Sequence, residues 1–167
     1  MALTAADVIR LLSLTPLSEE GGFFRETYRS DVLIPPAALP PMYAGPRHAS
    51  TAIYYLLTPS SVSAIHRLRG DEVFHHYLGD PVEMIQLFPD GAGRRIVIGG
   101  DIQAGAEPQV VVRGGVWQGA RLLPGGRFAL MGTTVAPGFE FKDFELARRE
   151  SLLREFSAYS EMIAALT

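Results

Sequence analysis

Cysteine is absent from all 167 residues, so neither disulfides nor thiolate metal sites are open to this chain. No apolar run approaches the roughly eighteen residues that a membrane span needs. The start, Met1 followed by ALTAADVIRLLSL, lacks the basic region, long apolar core and small-residue cleavage site of a secretory leader. A cytoplasmic protein with no membrane partner is the expectation. Positive charge is also short, with 15 Lys and Arg against 18 Asp and Glu for a net charge of −3. Nucleic-acid binding wants a clustered basic surface, and Arg94-Arg95 and Arg148-Arg149 are only short pairs, so no nucleic-acid partner is expected. No Gly-x-Gly-x-x-Gly follows a strand and opens a helix, and no P-loop or Ser-x-Gly elbow occurs, which removes the common nucleotide and acyl-transfer fingerprints.

What is present is ordinary globular chemistry: 47% hydrophobic and 20% charged residues. The length suits a single domain over 1–167, burying roughly 70% of the surface its unfolded form would expose. Helix signals sit at the ends. Thr4 with Asp7 forms a capping-box pattern, Val8, Leu11 and Leu12 supply an apolar face, and Pro16 is the expected stop. Leu146, Leu152, Leu153 and Phe156 fit one short helix near the end, and Tyr159, Ile163 and Leu166 another. Between them, after FFRETYRS and a proline-broken loop (IPPAALPPMYAGP), strand-like runs recur at 50–57, 61–68, 72–78, 82–88, 94–99, 108–114, 116–123 and 128–136. Turn residues such as Arg69-Gly70-Asp71, Gly79-Asp80-Pro81 and Pro89-Asp90-Gly91 separate them, the rhythm of a sandwich or barrel.

The richest stretch is HRLRGDEVFHHYLG (66–79), which gathers three of the four histidines with Glu72. Imidazole and carboxylate move protons near neutral pH and bind borderline metals. Period-two alternation puts Glu72, Phe74 and His76 on one strand face and Val73, His75 and Tyr77 on the other. His66, from the preceding strand, is expected to meet Glu72 and His76. The competing reading of Glu72 is an ion pair with Arg67, Arg69 or Arg25 at the barrel rim. His75 is read as structural or as a dimer contact, and His48 as a solvent-exposed loop residue.

This segment resembles the first signature of the cupin superfamily, G-x5-H-x-H-x3-E-x6-G, whose positions hold Ser60, His66, Leu68, Glu72 and Gly79 here. The second signature falls on Arg113, Gly115, Gln118 and Leu122, where only the glycine matches. Nearly the whole chain is similar to the cupin-5 family, defined by a domain of unknown function. The likeness runs through EGGFFRETYRS (20–30), STAIYYLL (50–57), IHRLRGDEVFHHYLGDP (65–81), PQVVVRGGVWQGA (108–120) and TTVAPGFEFKDFELA (133–147). The resemblance implies an all-β double-stranded β-helix, the cupin jelly roll, with short N- and C-terminal α-helices, a cavity in the barrel and a homodimer.

In metal cupins three histidines and a glutamate hold the ion. The carried-over positions here are His66, Leu68, Glu72 and Gln118, so two ligands are replaced. A leucine cannot coordinate and an amide is a poor ligand. If a divalent metal binds, the set would be His66, Glu72, His76 and Gln118, and its occupancy is expected to be less than stoichiometric; no other cofactor is expected. The leading expectation is a binding protein for a small polar organic ligand, a sugar, nucleotide or similar metabolite. An isomerase or epimerase with histidine as general base is the alternative, and a metal-dependent oxygenase ranks third. Candidate catalytic residues are His66, Glu72 and His76, with Tyr28 as an opposing acid. Arg25, Tyr28, Gln118, Trp117 and Phe139 are candidate ligand contacts, Trp117 suiting a core or interface equally well. The loop VAPGFEFKDFE, with Phe139, Phe141 and Phe144, could wall or cover the cavity.

Overall fold

The computed structural model describes residues 3–167. Its elements in chain order begin with α1 (Ala5–Leu12), β1 (Thr15–Pro16), β2 (Phe23–Arg29), β3 (Leu33–Ile34), β4 (Arg47–His48) and β5 (Thr51–Leu57). Then follow β6 (Ser63–Leu68), β7 (Asp71–Gly79), β8 (Val82–Leu87), β9 (Gly93–Ile98), β10 (Gln109–Val112) and β11 (Trp117–Leu122). β12 (Ala129–Ala136), β13 (Phe144–Leu146), α2 (Arg149–Glu155) and α3 (Ser160–Ala165) complete the order. The strands build a six-stranded antiparallel sheet, β1-β2-β5-β12-β7-β10, and a five-stranded one, β13-β6-β11-β8-β9. Packed face to face they make the all-β jelly roll with short terminal helices that the alternating pattern implies.

Three apolar layers follow from that alternation. Tyr55, Leu57, Phe74 and Met131 of the six-stranded sheet meet Val82, Met84, Ile96 and Ile98 of the other between the sheets. On the outer face of the five-stranded sheet, Ile65, Ile85 and Leu87 are covered by Leu152, Phe156, Met162 and Ile163 from α2 and α3. Val8 of α1 packs with Leu56, Phe128 and Leu130. Thr4 and Asp7 close the capping box at the start of α1.

Several local expectations change. α1 ends at Leu12 with Ser13 in the left-handed region (φ 52°), so the turn stops it before Pro16 is reached, and Leu11 stays 61% exposed. Leu146 lies in β13, paired with His66, because that edge strand completes the five-stranded sheet before α2 begins. The proline-rich loop contains the two-residue strands β3 and β4, which pair with each other, and a single 3₁₀ turn at Pro36–Ala38. His48, on β4, is half-buried with Nδ1 2.7 Å from the Ser30 carbonyl oxygen, instead of free in solvent.

Candidate ligand-binding site

One end of the sandwich is filled by side chains, and the other opens into a cavity of about 130 Å³. Its walls come from both sheets: Phe24, Glu26 and Arg29 of β2, Thr51 and Ile53 of β5, Thr133 and Val135 of β12, Glu72 of β7, and His66 and Leu68 of β6. Phe139, Phe141 and Phe144 close one side. That aromatic segment is tied down rather than loose. The Phe139 N–H donates to Thr51 Oγ1 at 2.9 Å, Gly138 N–H to the His48 carbonyl at 2.7 Å, and Asp143 takes two 2.7 Å bonds from the buried Arg47 guanidinium.

His66 and Glu72 face each other across the sandwich, from strands of opposite sheets, and Gln118 on β11 joins them. β11 runs beside β6 with Gln118 opposite His66, which turns the amide inward. The three side chains are almost completely buried, at 2%, 7% and 1% exposure. Gln118 Nε2 donates to Glu72 Oε2 at 2.6 Å and lies 3.4 Å from His66 Nε2. His66 Nδ1 is 2.8 Å from the Ala64 carbonyl oxygen, which can only accept, so Nδ1 carries a proton and, in the neutral ring, Nε2 carries the lone pair. Phe144 stacks on the imidazole, centroids 4.9 Å apart, and fixes its plane. Burial pushes the Glu72 carboxyl above its ordinary range, reinforced by the nearby Glu20 charge and resisted by His66, the Thr133 hydroxyl and the Gln118 amide.

Glu20 is the site residue that strand periodicity missed. It lies outside the β-patterned runs, yet its Oε2 comes within 3.8 Å of His66 Nε2, and its Oε1 accepts from Ser63 Oγ at 2.6 Å. The signal was the Gly21-Gly22 pair. Gly21 sits at φ 102°, where an added Cβ would lie 2.2 Å from the Val62 carbonyl oxygen, so only glycine allows the turn that aims the preceding carboxylate inward.

The remaining sequence candidates lie elsewhere. His76 shares the inner face with Glu72, but four residues along a strand is about 13 Å, and Phe74 stands between them. Its Nε2 is buried with no hydrogen-bond partner among the described residues. Tyr28 and Arg25 point away from the cavity. A bulge sets Thr27 as an extra residue between Glu26, opposite Ile53, and Tyr28, opposite Ala52. The alternation therefore restarts, sending Arg29 inward and leaving Tyr28 54% exposed. Arg25 instead lies over the Tyr54 ring, 5.5 Å from its centroid. Trp117 packs on the opposite face of β11 from Gln118, in the layer under the C-terminal helices, with the Arg67 guanidinium 4.3 Å above it. Arg67 pairs with Glu145, so the rim ion pair considered for Glu72 belongs to another carboxylate. Phe139 lines the cavity.

The donor set does not suit a metal of the superfamily type. Leu68 occupies one ligand position, and at another the Gln118 NH₂ points at both His66 and Glu72. Two N–H bonds occupy the space in which a cation would draw those two groups together. Among the described residues no three His, Asp or Glu side chains are grouped to hold an ion. Among them, too, no helix is long and apolar enough to cross a membrane.

Residues 6–147 match the family described as cupin superfamily, DUF985. An uncharacterized protein of Saccharomyces cerevisiae, YML079W, is 32% identical over 145 residues, 81% of this chain and 71% of the yeast protein. Protein SO0799 of Shewanella oneidensis superposes with a TM-score of 0.86 at 34% identity, over 99% of this chain and 98% of that one. A hypothetical protein from Leishmania major gives 0.87 at 28% identity over 99% of both chains. Oxalate decarboxylase of Bacillus subtilis shares the fold alone, with a TM-score of 0.52 and 13% identity over 39% of its length.

Proposed function

Since this chain belongs to the DUF985 family of the cupin superfamily, we propose that its barrel cavity binds a small polar organic ligand, a sugar, nucleotide or similar metabolite. The observation that carries this reading is the convergence of His66 and Glu72, bridged from behind by Gln118, at the floor of an open cavity whose sides are largely apolar. Such a cleft, with few polar groups and aromatic walls, is the usual form of a small-molecule site. Phe24, Phe139, Phe141 and Phe144 would hold the ligand's apolar face while the floor reads its polar groups.

Thermal-shift screening against a panel of neutral, anionic and cationic metabolites tests it. A ligand at about a hundred times its Kd stabilises the native state by about 2.7 kcal/mol, a rise of several degrees. That rise should vanish in His66→Ala and shrink in Glu72→Gln. A panel that leaves the melting temperature unchanged throughout overturns the proposal.

One observation favours a second reading, an isomerase or epimerase: the lone pair on His66 Nε2, set by the Ala64 carbonyl, beside a carboxyl whose proton is held above the ordinary range. His66 would take a proton from carbon next to a carbonyl, and a protonated Glu72 would return one to the resulting enolate. Tyr28 has no part in it. Exchange of a substrate C–H for deuterium in D₂O, lost in His66→Ala, is the discriminating result. We further propose a homodimer through the outer face of the six-stranded sheet and the helix α1 packed on it, where Tyr28, Tyr77 and Val111 of the sheet and Leu11 of α1 are exposed. Sedimentation showing a stable monomer at micromolar concentration would contradict it.

A further inference from the structure

Taking the cavity as a small-molecule site, we infer that its ligand is a compact primary amine, bound as the ammonium ion. Three observations converge on this. The first is charge. Glu19, Glu20, Glu26, Glu72 and Glu140 line the cavity, against one guanidinium, Arg29. That guanidinium is already committed at the mouth, with bonds of 2.7 and 3.0 Å to Glu26 and 3.4 Å to Glu140. Apart from the His66 imidazole, 3.8 Å from Glu20, no basic group lining the cavity among the described residues is left for the two inner carboxyls, Glu20 and Glu72, and the upward push on the Glu72 proton reflects the cost of burying such a charge unpaired.

The second is the donor and acceptor inventory. The hydrogens near the floor are spent within the protein: the Ser63 hydroxyl on Glu20, the Gln118 amide on Glu72 and toward His66, and His66 Nδ1–H on the Ala64 carbonyl. What remains are acceptors. Glu20 Oε2 lies 3.8 Å from His66 Nε2, too far for a hydrogen bond, and is open to a donor from the cavity, whereas Gln118 stands behind the cavity wall. An ammonium supplies three donors and no acceptor. Placed between Glu20 and Glu72 beside the imidazole, it satisfies acceptors that a carboxylate or phosphate would instead repel.

The third is the shape of the rest. The phenylalanine walls favour an apolar body and attract a cation through their ring faces. The enclosed volume of about 130 Å³ is near that of an engineered cavity of about 150 Å³ that takes benzene, which bounds the enclosed part at roughly six to nine non-hydrogen atoms. Nucleotides are therefore disfavoured by both charge and size, and neutral hydroxyl-rich molecules offer the acceptors less.

Benzylamine, benzyl alcohol and benzoate share one frame and differ in charge, so calorimetric titration of each into the full chain near neutral pH isolates the effect. Benzylamine should bind at least about tenfold more tightly than the alcohol, with benzoate weaker still. Glu20→Gln should erase most of the amine's advantage while changing the alcohol's affinity little; Glu19→Gln, on an exposed side chain, should do less. Should Glu20→Gln fail to fold, the three-compound ranking on the native protein decides alone. Equal or tighter binding of the alcohol or benzoate, or an amine preference that survives intact in Glu20→Gln, overturns the inference while leaving the cavity a ligand site. No binding by any of the three, with no shift from the metabolite panel, overturns both.

Discussion

Replacing Arg47 by methionine should destabilise the protein by about 3 kcal/mol, the low end of the range for breaking a buried ion pair. Arg47 is 1% exposed and gives Asp143 two bonds of 2.7 Å, while its remaining nitrogen reaches the Gly45 and Pro46 carbonyls at 3.0 and 2.9 Å. Methionine keeps the volume of the stem but leaves Asp143 in a dry site and two carbonyls without their donor. The low end applies because Arg69, half-exposed, lies 3.5 Å from Asp143 and can move in as a partial substitute. For a domain of this length the loss corresponds to a fall in Tm of roughly 6–12 °C. Urea unfolding should show a lower midpoint at unchanged slope. The double variant Arg47→Met with Asp143→Leu should recover most of the loss, since an apolar pair of similar volume often replaces a buried ion pair at little cost. Because Asp143 anchors the segment that carries Phe139, Phe141 and Phe144, the single variant should also expose the Phe139 amide to faster hydrogen exchange. A loss below about 1 kcal/mol, or a double variant worse than the single one, would refute the claim that this pair holds the aromatic wall.

Other expectations follow from the same geometry. The folded protein holds the Glu72 proton more tightly than the unfolded chain does, so this group's share of the stability is complete at low pH and is lost as pH rises from the ordinary carboxylate range through the raised value. Glu72→Gln should therefore gain stability relative to the parent as pH climbs from about 4 to about 8, and parallel melting curves over that span would count against a buried, uncompensated acid. Gly79→Ala should cost about 2 kcal/mol or more in a denaturant titration, because φ is 96° and the new Cβ would lie 2.4 Å from the Phe128 carbonyl oxygen; near-parental stability would show that the turn relaxes. Leu68→His combined with Gln118→His should gain a stoichiometric divalent ion by elemental analysis while the parent stays below one equivalent. A full complement in the parent would overturn the reading of the Gln118 amide.

Most of the architecture was legible because alternation survives in the strands: the β6–β7–β8 run and β12 lie where their period-two patterns put them. His66, Glu72 and Gln118 were found together because the family signature fixes their spacing. What failed was whatever depends on local irregularity or on chain paths far apart in sequence. His76 passed the parity test but not the distance test, since parity says which face a residue occupies and nothing about how far along it lies. Glu20 carries no strand pattern, and its role comes from a glycine turn meeting Val62 across the fold. Leu146 has the spacing of a helix residue, yet the open edge of the five-stranded sheet recruits it.

The extra residue at Thr27 gives the molecule a setting that depends on counting instead of chemistry. Were Thr27 paired in regular register instead of bulged out, Tyr28 would fall opposite Thr51, putting a phenol where the guanidinium now stands and stripping Glu26 and Glu140 of the counter-charge they share. Whether that one residue is bulged or paired thus decides which side chain guards the entrance, while every layer of the sandwich beneath stays as it is.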